Sequence, residues 1–279
     1  MKPYNPHRSP RWNFGGEHWK LSRFKIERFQ ECPRCFYIDN IFGTKRPDTP
    51  PFKLNEVVDT LLKRECDAYR ARQEAHPVAI ANNLSLIPFQ HTAIDQWRDN
   101  FTGIQTQHES TGMTISGAID DVWQHPDGTL CVIDYKATAK PHQINDMRDE
   151  PMAAQYRRQM GVYQWLLRQN GFPVHDRGYF LYANCKQDRE AFEGQLDFEL
   201  TLVPCDGATD WIEETLHAIH RTLTSEEVPE ADEACAYCQY RNAAGKKLLE
   251  RQQRQREHKE TRTTATHTVN HPNEQSPLF

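Results

Sequence analysis

Residues 115–138, ISGAIDDVWQHPDGTLCVIDYKAT, decide how the rest of the chain is read. Two apolar, β-branched runs, 115–123 and 129–135, flank His125-Pro126-Asp127-Gly128, and that turn signal predicts an antiparallel hairpin. Charged side chains sit inside the strands. Asp120 interrupts the first run, and Asp134 and Lys136 end the second, where a purely structural strand would favour Val or Ile. Side chains alternate across a sheet, so Asp134 and Lys136 share a face roughly 6–7 Å apart, and the hairpin's twist can bring Asp120 beside them. Clustered carboxylates repel, and one takes up a proton unless a cation lies between them. Oxygen donors select a hard ion, Mg²⁺ or Mn²⁺. A lysine beside such an ion can position or deprotonate a water and stabilise charge developing on a phosphate. Taken alone, an Asp-x-Lys reads first as a surface ion pair at a hairpin end.

Context favours the chemical reading. Gly117-Ala118-Ile119-Asp120, a hairpin, then Ile133-Asp134-Tyr135-Lys136 resembles the PD-(D/E)XK nuclease superfamily in its RecB-like branch, which includes the exonucleases of CRISPR adaptation and nuclease domains of bacterial recombination enzymes. Two more segments match. Residues 159–167 (QMGVYQWLL) resemble the helix after the catalytic strand, with Gln159 and Tyr163 on one face, and residues 22–39 (SRFKIERFQECPRCFYID) resemble the opening helix. The resemblance implies an α/β (α+β) fold with a restriction-endonuclease-like core, a central mixed sheet flanked by helices. It also implies a Mg²⁺- or Mn²⁺-dependent DNA nuclease, an exonuclease rather than an endonuclease, in repair, recombination or defence. Asp120, Asp134 and the Tyr135 carbonyl would hold the ion, Lys136 would orient the attacking water, and Gln159 would support the site. Many relatives carry a histidine ligand in a Val-His-x-x-Leu setting, where this chain has Val58-Asp59-Thr60-Leu61-Leu62. Asp59 is then either a third oxygen ligand or part of a solvated helix face.

At 279 residues and 37% hydrophobic content the chain can bury a full core. No apolar run approaches the ~18 residues of a membrane span, and the N-terminus has no apolar signal region, so the expected location is cytoplasmic with no membrane partner. A net charge of −5 repels DNA at long range, so any phosphate-binding surface must be local.

In chain order, residues 1–20 show no assignable period. Ser22 is a candidate N-cap for a helix to about Gln30, and residues 54–73 read as a strong helix with Val57, Val58, Leu61 and Leu62 at helical spacing. Residues 76–90 read as irregular, 92–101 as a short helix, and 103–109 as a strand that makes three antiparallel strands in succession with the hairpin. Helices over 152–169 and 208–223 and strands over 177–183 and 196–203 complete the nuclease-like domain, residues 21–244. Residues 245–279 read as a charged helix and, over 261–273, a disordered segment.

Two Cys-x-x-Cys pairs, Cys32/Cys35 and Cys235/Cys238, could give four thiolates to one soft metal centre if the fold brings its ends together. The first pair is expected to close a helix, which argues against a redox motif. By resemblance the centre is a 4Fe-4S cluster that staples the ends around the core. The two-and-two division of cysteines departs from the usual one early and three late, and leaves Zn²⁺ as the alternative. Cys66, Cys131, Cys185 and Cys205 read as buried residues. The chain's last residues, Gln275-Ser276-Pro277-Leu278-Phe279, resemble the peptide by which bacterial proteins dock on the DNA sliding clamp. Two further readings stay open: a noncatalytic nucleic-acid-binding or clamp-associated scaffold that keeps the nuclease fold, and an RNase.

Overall fold

The structure is a computed structural model that describes residues 7–47, 52–149 and 152–268. The chain divides into two units, Met1–Glu230 and Ala231–Phe279.

In the first unit, β1 (Leu21–Ser22) leads into α1 (Arg23–Glu31), and the Ser22 hydroxyl caps that helix by accepting from the Lys25 N–H at 3.3 Å, as expected. Cys32 ends α1, and Pro33 begins α2 (Pro33–Asn40). Proline's fixed φ suits the first helical position and keeps the residue before it extended. The Cys-Pro-Arg-Cys motif, expected only to close a helix, therefore also opens one. The next helix, α3 (Lys53–Arg72), buries Val58, Leu62, Cys66 and Arg70, whereas Val57 and Leu61 are exposed. A single i, i+4 stripe meets the sheet, narrower than the apolar spacing suggested. The stretch 76–90, expected to be irregular, contains α4 (Pro77–Ala81) and β2 (Ile87–Pro88), and α5 (Ile94–Arg98) is shorter than the helix assigned there.

The central run departs from expectation in one respect. β3 (Ile104–His108) and β4 (Met113–Gly117) pair antiparallel, and with β1 parallel to β4 they make a three-stranded sheet in the order β1-β4-β3. β5 (Asp121–Gln124) and β6 (Leu130–Thr138) belong to a different sheet, ordered β2-β5-β6-β7-β8 with β7 (Arg177–Cys185) and β8 (Phe198–Asp206). Residues 115–123 are therefore not one strand, and the three expected antiparallel strands are divided between two sheets. The break at residues 118–120 is stable because its backbone groups are satisfied outside both ladders: Ile119 N–H donates to the Trp97 carbonyl at 2.9 Å, and the Arg98 guanidinium donates to the Asp120 carbonyl at 2.9 Å.

The β5–β6 hairpin itself is as read. Asp127 accepts from Thr129 N–H at 2.9 Å, and Gly128 takes the left-handed φ of 90° that the turn needs. After β6, α6 (Ala153–Gln169) crosses back so that β7 lies parallel to β6, which makes the sheet mixed; α7 (Trp211–Thr224) follows β8. Alternation along β6 divides the core. Leu130 and Val132 pack with Val162 and Leu166 of α6, while Cys131 and Ile133 pack with Leu62 and Cys66 of α3. Each such fully buried aliphatic side chain contributes about 1.5–3 kcal/mol.

The second unit contains α8 (Ala236–Thr268), which extends into the stretch from Thr261 expected to lack structure. Among the described residues, no helix is long and apolar enough to cross a membrane.

Candidate active site

The hairpin register builds the site. β5 begins at Asp121, paired with Ile133, so the ladder continued by one residue sets Asp120 opposite Asp134. Beyond that point, among the described residues, β6 has no strand on its β5 side. The Tyr135 N–H, which a strand carbonyl would otherwise accept, donates instead to the Asp120 carboxylate at 3.0 Å. On the same face of β6 as Asp134, the Lys136 ammonium donates to the Asp134 carboxylate. From α6, Gln159 locks both: its amide N–H donates to Asp134 Oδ1 at 2.7 Å, and its carbonyl oxygen lies 3.4 Å from Lys136 Nζ. Gln159 Nε2 is also 3.2 Å from the Tyr163 hydroxyl. The Lys136 ammonium stands 4.7 Å from the centre of the Tyr156 ring, a cation–π contact that fixes its direction.

Asp59 lies on α3, and Lys63, one turn further on, links it to the cluster. Lys63 Nζ is 2.8 Å from Asp59 Oδ2 and 3.6 Å from Asp120 Oδ1. Tyr135 turns its side chain to the opposite face, where its hydroxyl donates to Asp121 at 2.6 Å, so only its backbone faces the cluster. Asp121, adjacent to Asp120, has a fully buried side chain paired with Arg70 and, at 3.3 Å, with Arg98.

The electrostatics follow from burial. Asp134 is 1% exposed; burial pushes its carboxyl up to about 6 and the charge of Asp120 pushes the same way, against the pull of Lys136. For Lys136, burial lowers the pKa, but Asp134 and Asp120 outweigh it and hold the ammonium above its ordinary range. Two aspartates and a strand carbonyl at one open edge, with one carboxyl still inclined to take up a proton, form a donor set that fits a hard divalent ion.

A pH prediction follows for chelator-treated protein. Between the ordinary carboxyl value of 3.8 and about 6, the folded chain holds more proton on Asp134 than the unfolded chain. Stability is expected to fall as pH rises through that window, and Asp134→Asn to flatten the fall. Denaturant melts at a series of pH values check it; equal slopes in both proteins would contradict it.

Sequence reasoning missed Lys63, Arg98 and Arg23. Arg23 lines, with Gln159, Tyr163 and Asp120, a cleft of about 280 Å³, and its Nε is buried without a hydrogen-bond partner among the described residues. The Asp59–Lys63 spacing of four residues was a usable helical signal, whereas nothing local marks Arg23 or Arg98.

Each unit carries one pair of the four candidate cysteine ligands in the same local setting. Cys32 precedes α2 and Cys35 lies in its first turn; Cys235 precedes α8 and Cys238 lies in its first turn; all four are buried. Burial pushes the Cys131 thiol up to about 12 and the Cys205 thiol up to about 11, so these stay protonated, as expected of core cysteines. Cys66 is also buried, and Cys185 is partly exposed. Gln275, Leu278 and Phe279 lie outside the described residues.

Two opposed aspartates and a lysine two residues beyond the second, on a mixed sheet flanked by helices, define a class of α/β protein with an oxygen-donor site and a neighbouring fixed cation. The chain belongs to the PD-(D/E)XK nuclease superfamily, whose profile matches residues 20–243. Members of that superfamily are typically metal-dependent nucleases. No curated protein matches the chain.

Proposed function

We propose that the protein is a metal-dependent DNA nuclease of the RecB-like branch that hydrolyses phosphodiesters from strand ends, in repair, recombination or defence. The observation that carries this reading is the register that opposes Asp120 to Asp134, with Lys136 and Gln159 gathered at the same point. The ion's ligands would be the two carboxylates and the Tyr135 carbonyl, with Asp59 joining where Lys63 yields its place. Bound there, Mg²⁺ or Mn²⁺ would supply charge neutralisation and a more acidic water.

The chain's own groups do the remainder. Lys136, held protonated by its two aspartates, donates to a phosphate oxygen and stabilises the charge that builds there. Gln159 is a positioning residue: it fixes Asp134 from one end of its amide and Lys136 from the other. Arg23, with an unmet buried donor beside the cleft, is suited to a second phosphate contact.

The cleft supports a single-stranded substrate. Its volume is about 280 Å³, and Arg23, Asp120 and Gln159 line it. It adjoins a second hollow that shares Ser22, Asn100 and Ser116. Phe24 borders the first, with the Arg28 guanidinium over its ring at 4.8 Å, and Phe101 borders the second and is 79% exposed, so Phe101 offers an aromatic face for base stacking. Lys20 borders the second hollow and supplies local positive charge, whereas burial pulls the Lys25 ammonium down to about 7.

The two Cys-x-x-Cys pairs are read as the four ligands of one centre, a 4Fe-4S cluster or, alternatively, Zn²⁺. Each pair lies at a helix start. Arg34, within the first motif, donates to the Pro229 carbonyl and the Glu230 carboxylate, each at 2.8 Å, and Cys235 follows in sequence only five residues later. The final residues, with Gln275, Leu278 and Phe279, are assigned to docking on the sliding clamp.

With Mn²⁺, linear single-stranded DNA is expected to be degraded and a closed circle spared. Phe101→Ala should weaken single-strand binding by about 10–100-fold, the loss of one stacked base. Equal degradation of circles would refute the end dependence, and an RNA strand assayed in parallel decides the sugar preference. A noncatalytic scaffold is the second reading, favoured by Lys63 as an internal cation between Asp59 and Asp120; it predicts binding without cleavage.

A further inference from the structure

At the end of β3 away from the cleft, side chains of two elements converge. His108, the last residue of β3, is 8% exposed, and its Nε2 lies 2.8 Å from Glu213 Oε2 on α7. His217 follows Glu213 by four positions on the same helix face, its ring centre 5.5 Å from that of His108. One nitrogen of each imidazole and one oxygen of the carboxylate lie within 4.8 Å of one another. Ser110 Oγ is 3.4 Å from Nε2 of both rings, so the two nitrogens face a common point. The cleft lies beside Gly103, just before the other end of the strand, about 17 Å away along β3.

We infer that His108, Glu213 and His217 form a metal site, separate from the candidate active site, for a divalent transition ion of the zinc type. Two imidazole nitrogens and a carboxylate, with water in the fourth position, are a tetrahedral zinc donor set, and nitrogen donors disfavour Mg²⁺. The ligands are held from behind, as metal ligands are. His108 Nδ1 is 2.8 Å from Thr111 Oγ1, which leaves Nε2 to face the ion, and Glu213 Oε1 accepts the Trp165 indole N–H at 3.0 Å. Ligands ~2.0–2.2 Å from a tetrahedral ion stand ~3.3–3.5 Å apart. Binding therefore requires that the His108–Glu213 contact open by roughly 0.6 Å and that His217 close in; both α7 ligands are exposed. The bound ion would fasten the β3–β4 turn to α7.

Cobalt(II), which takes zinc sites and reports its ligands by colour, tests this in the full-length protein. Wild type is expected to bind one equivalent more than His217→Ala does, and that equivalent should bring visible d–d bands and no sulfur-to-metal charge-transfer absorption. That equivalent should disappear in His217→Ala and Glu213→Gln, both exposed positions whose replacement leaves the core intact, and should persist in Cys235→Ala. Trp165→Phe should weaken it by about 10–100-fold. The inference is overturned if cobalt binds only with thiolate charge-transfer bands, or if His217→Ala and wild type bind the same number of equivalents with the same spectrum.

Discussion

Asp120→Asn is expected to slow DNA cleavage by about 10²–10³-fold while the protein stays folded, and Asp121→Asn, one residue along, to destabilise the fold. Asp120 sits at the open edge of β6, where its carboxylate accepts the Tyr135 N–H and opposes Asp134. An asparagine oxygen can still accept that hydrogen bond, so the backbone stays in place, but the negative ligand is gone. Asp121 is fully buried and answers two guanidinium groups, Arg70 and Arg98, and the Tyr135 hydroxyl. Neutralising it leaves two arginines in the interior with reduced compensation, which costs on the order of 3–5 kcal/mol. Arg98 also holds the Asp120 carbonyl, so Asp121 positions its neighbour as well as stabilising the fold. Single-turnover cleavage and denaturant melts on both variants separate the two effects. A stable, inactive Asp121→Asn protein beside an active Asp120→Asn protein would reverse the assignment.

Cys238→Ala is expected to empty the thiolate centre and remove much of the stability of the full chain. Four-ligand structural zinc sites in small modules bind with an apparent ~10–16 kcal/mol at neutral pH, strongly dependent on pH, and that energy is folding energy. Cys131→Ala is the matched control: its thiol is buried in the core and held protonated, so metal content should be unchanged. Metal analysis with a visible spectrum on anaerobically prepared protein reads the result. An absorbing iron-containing protein identifies the cluster, and a colourless one with stoichiometric zinc identifies the alternative. Identical metal content in Cys238→Ala and wild type would dismiss the centre.

The fold was legible where local pattern and global arrangement agree. The Pro-Asp-Gly turn, the alternation that places Asp134 and Lys136 together, and the four-residue spacing of Gln159 and Tyr163 all follow from periodicity. The sheet switch at 118–120 was not legible, because an apolar, β-branched run reads as one strand whichever ladder each half joins. What fixes the switch is Trp97 and Arg98, from an element about twenty residues earlier. The same limit hid Arg23 and Arg98, whose roles exist only after tertiary contact. In the proposed zinc-type site the Glu213–His217 spacing is written in the sequence, but the third ligand, His108, lies 105 residues from Glu213. For α3, apolar residues lay at more than one helical face, and only the packed sheet decided that Val58, Leu62 and Cys66 turn inward.

The most direct test of the central claim is single-turnover cleavage of an end-labelled single strand in Mn²⁺ by wild type, Asp134→Asn and Lys136→Met, with folding of each verified by circular dichroism. The account predicts cleavage by wild type and a loss of roughly 10³-fold or more in each folded variant, since one removes a metal ligand and the other the cation that stabilises the phosphate. Cleavage at the wild-type rate in both variants, or none in any of the three proteins, would contradict it.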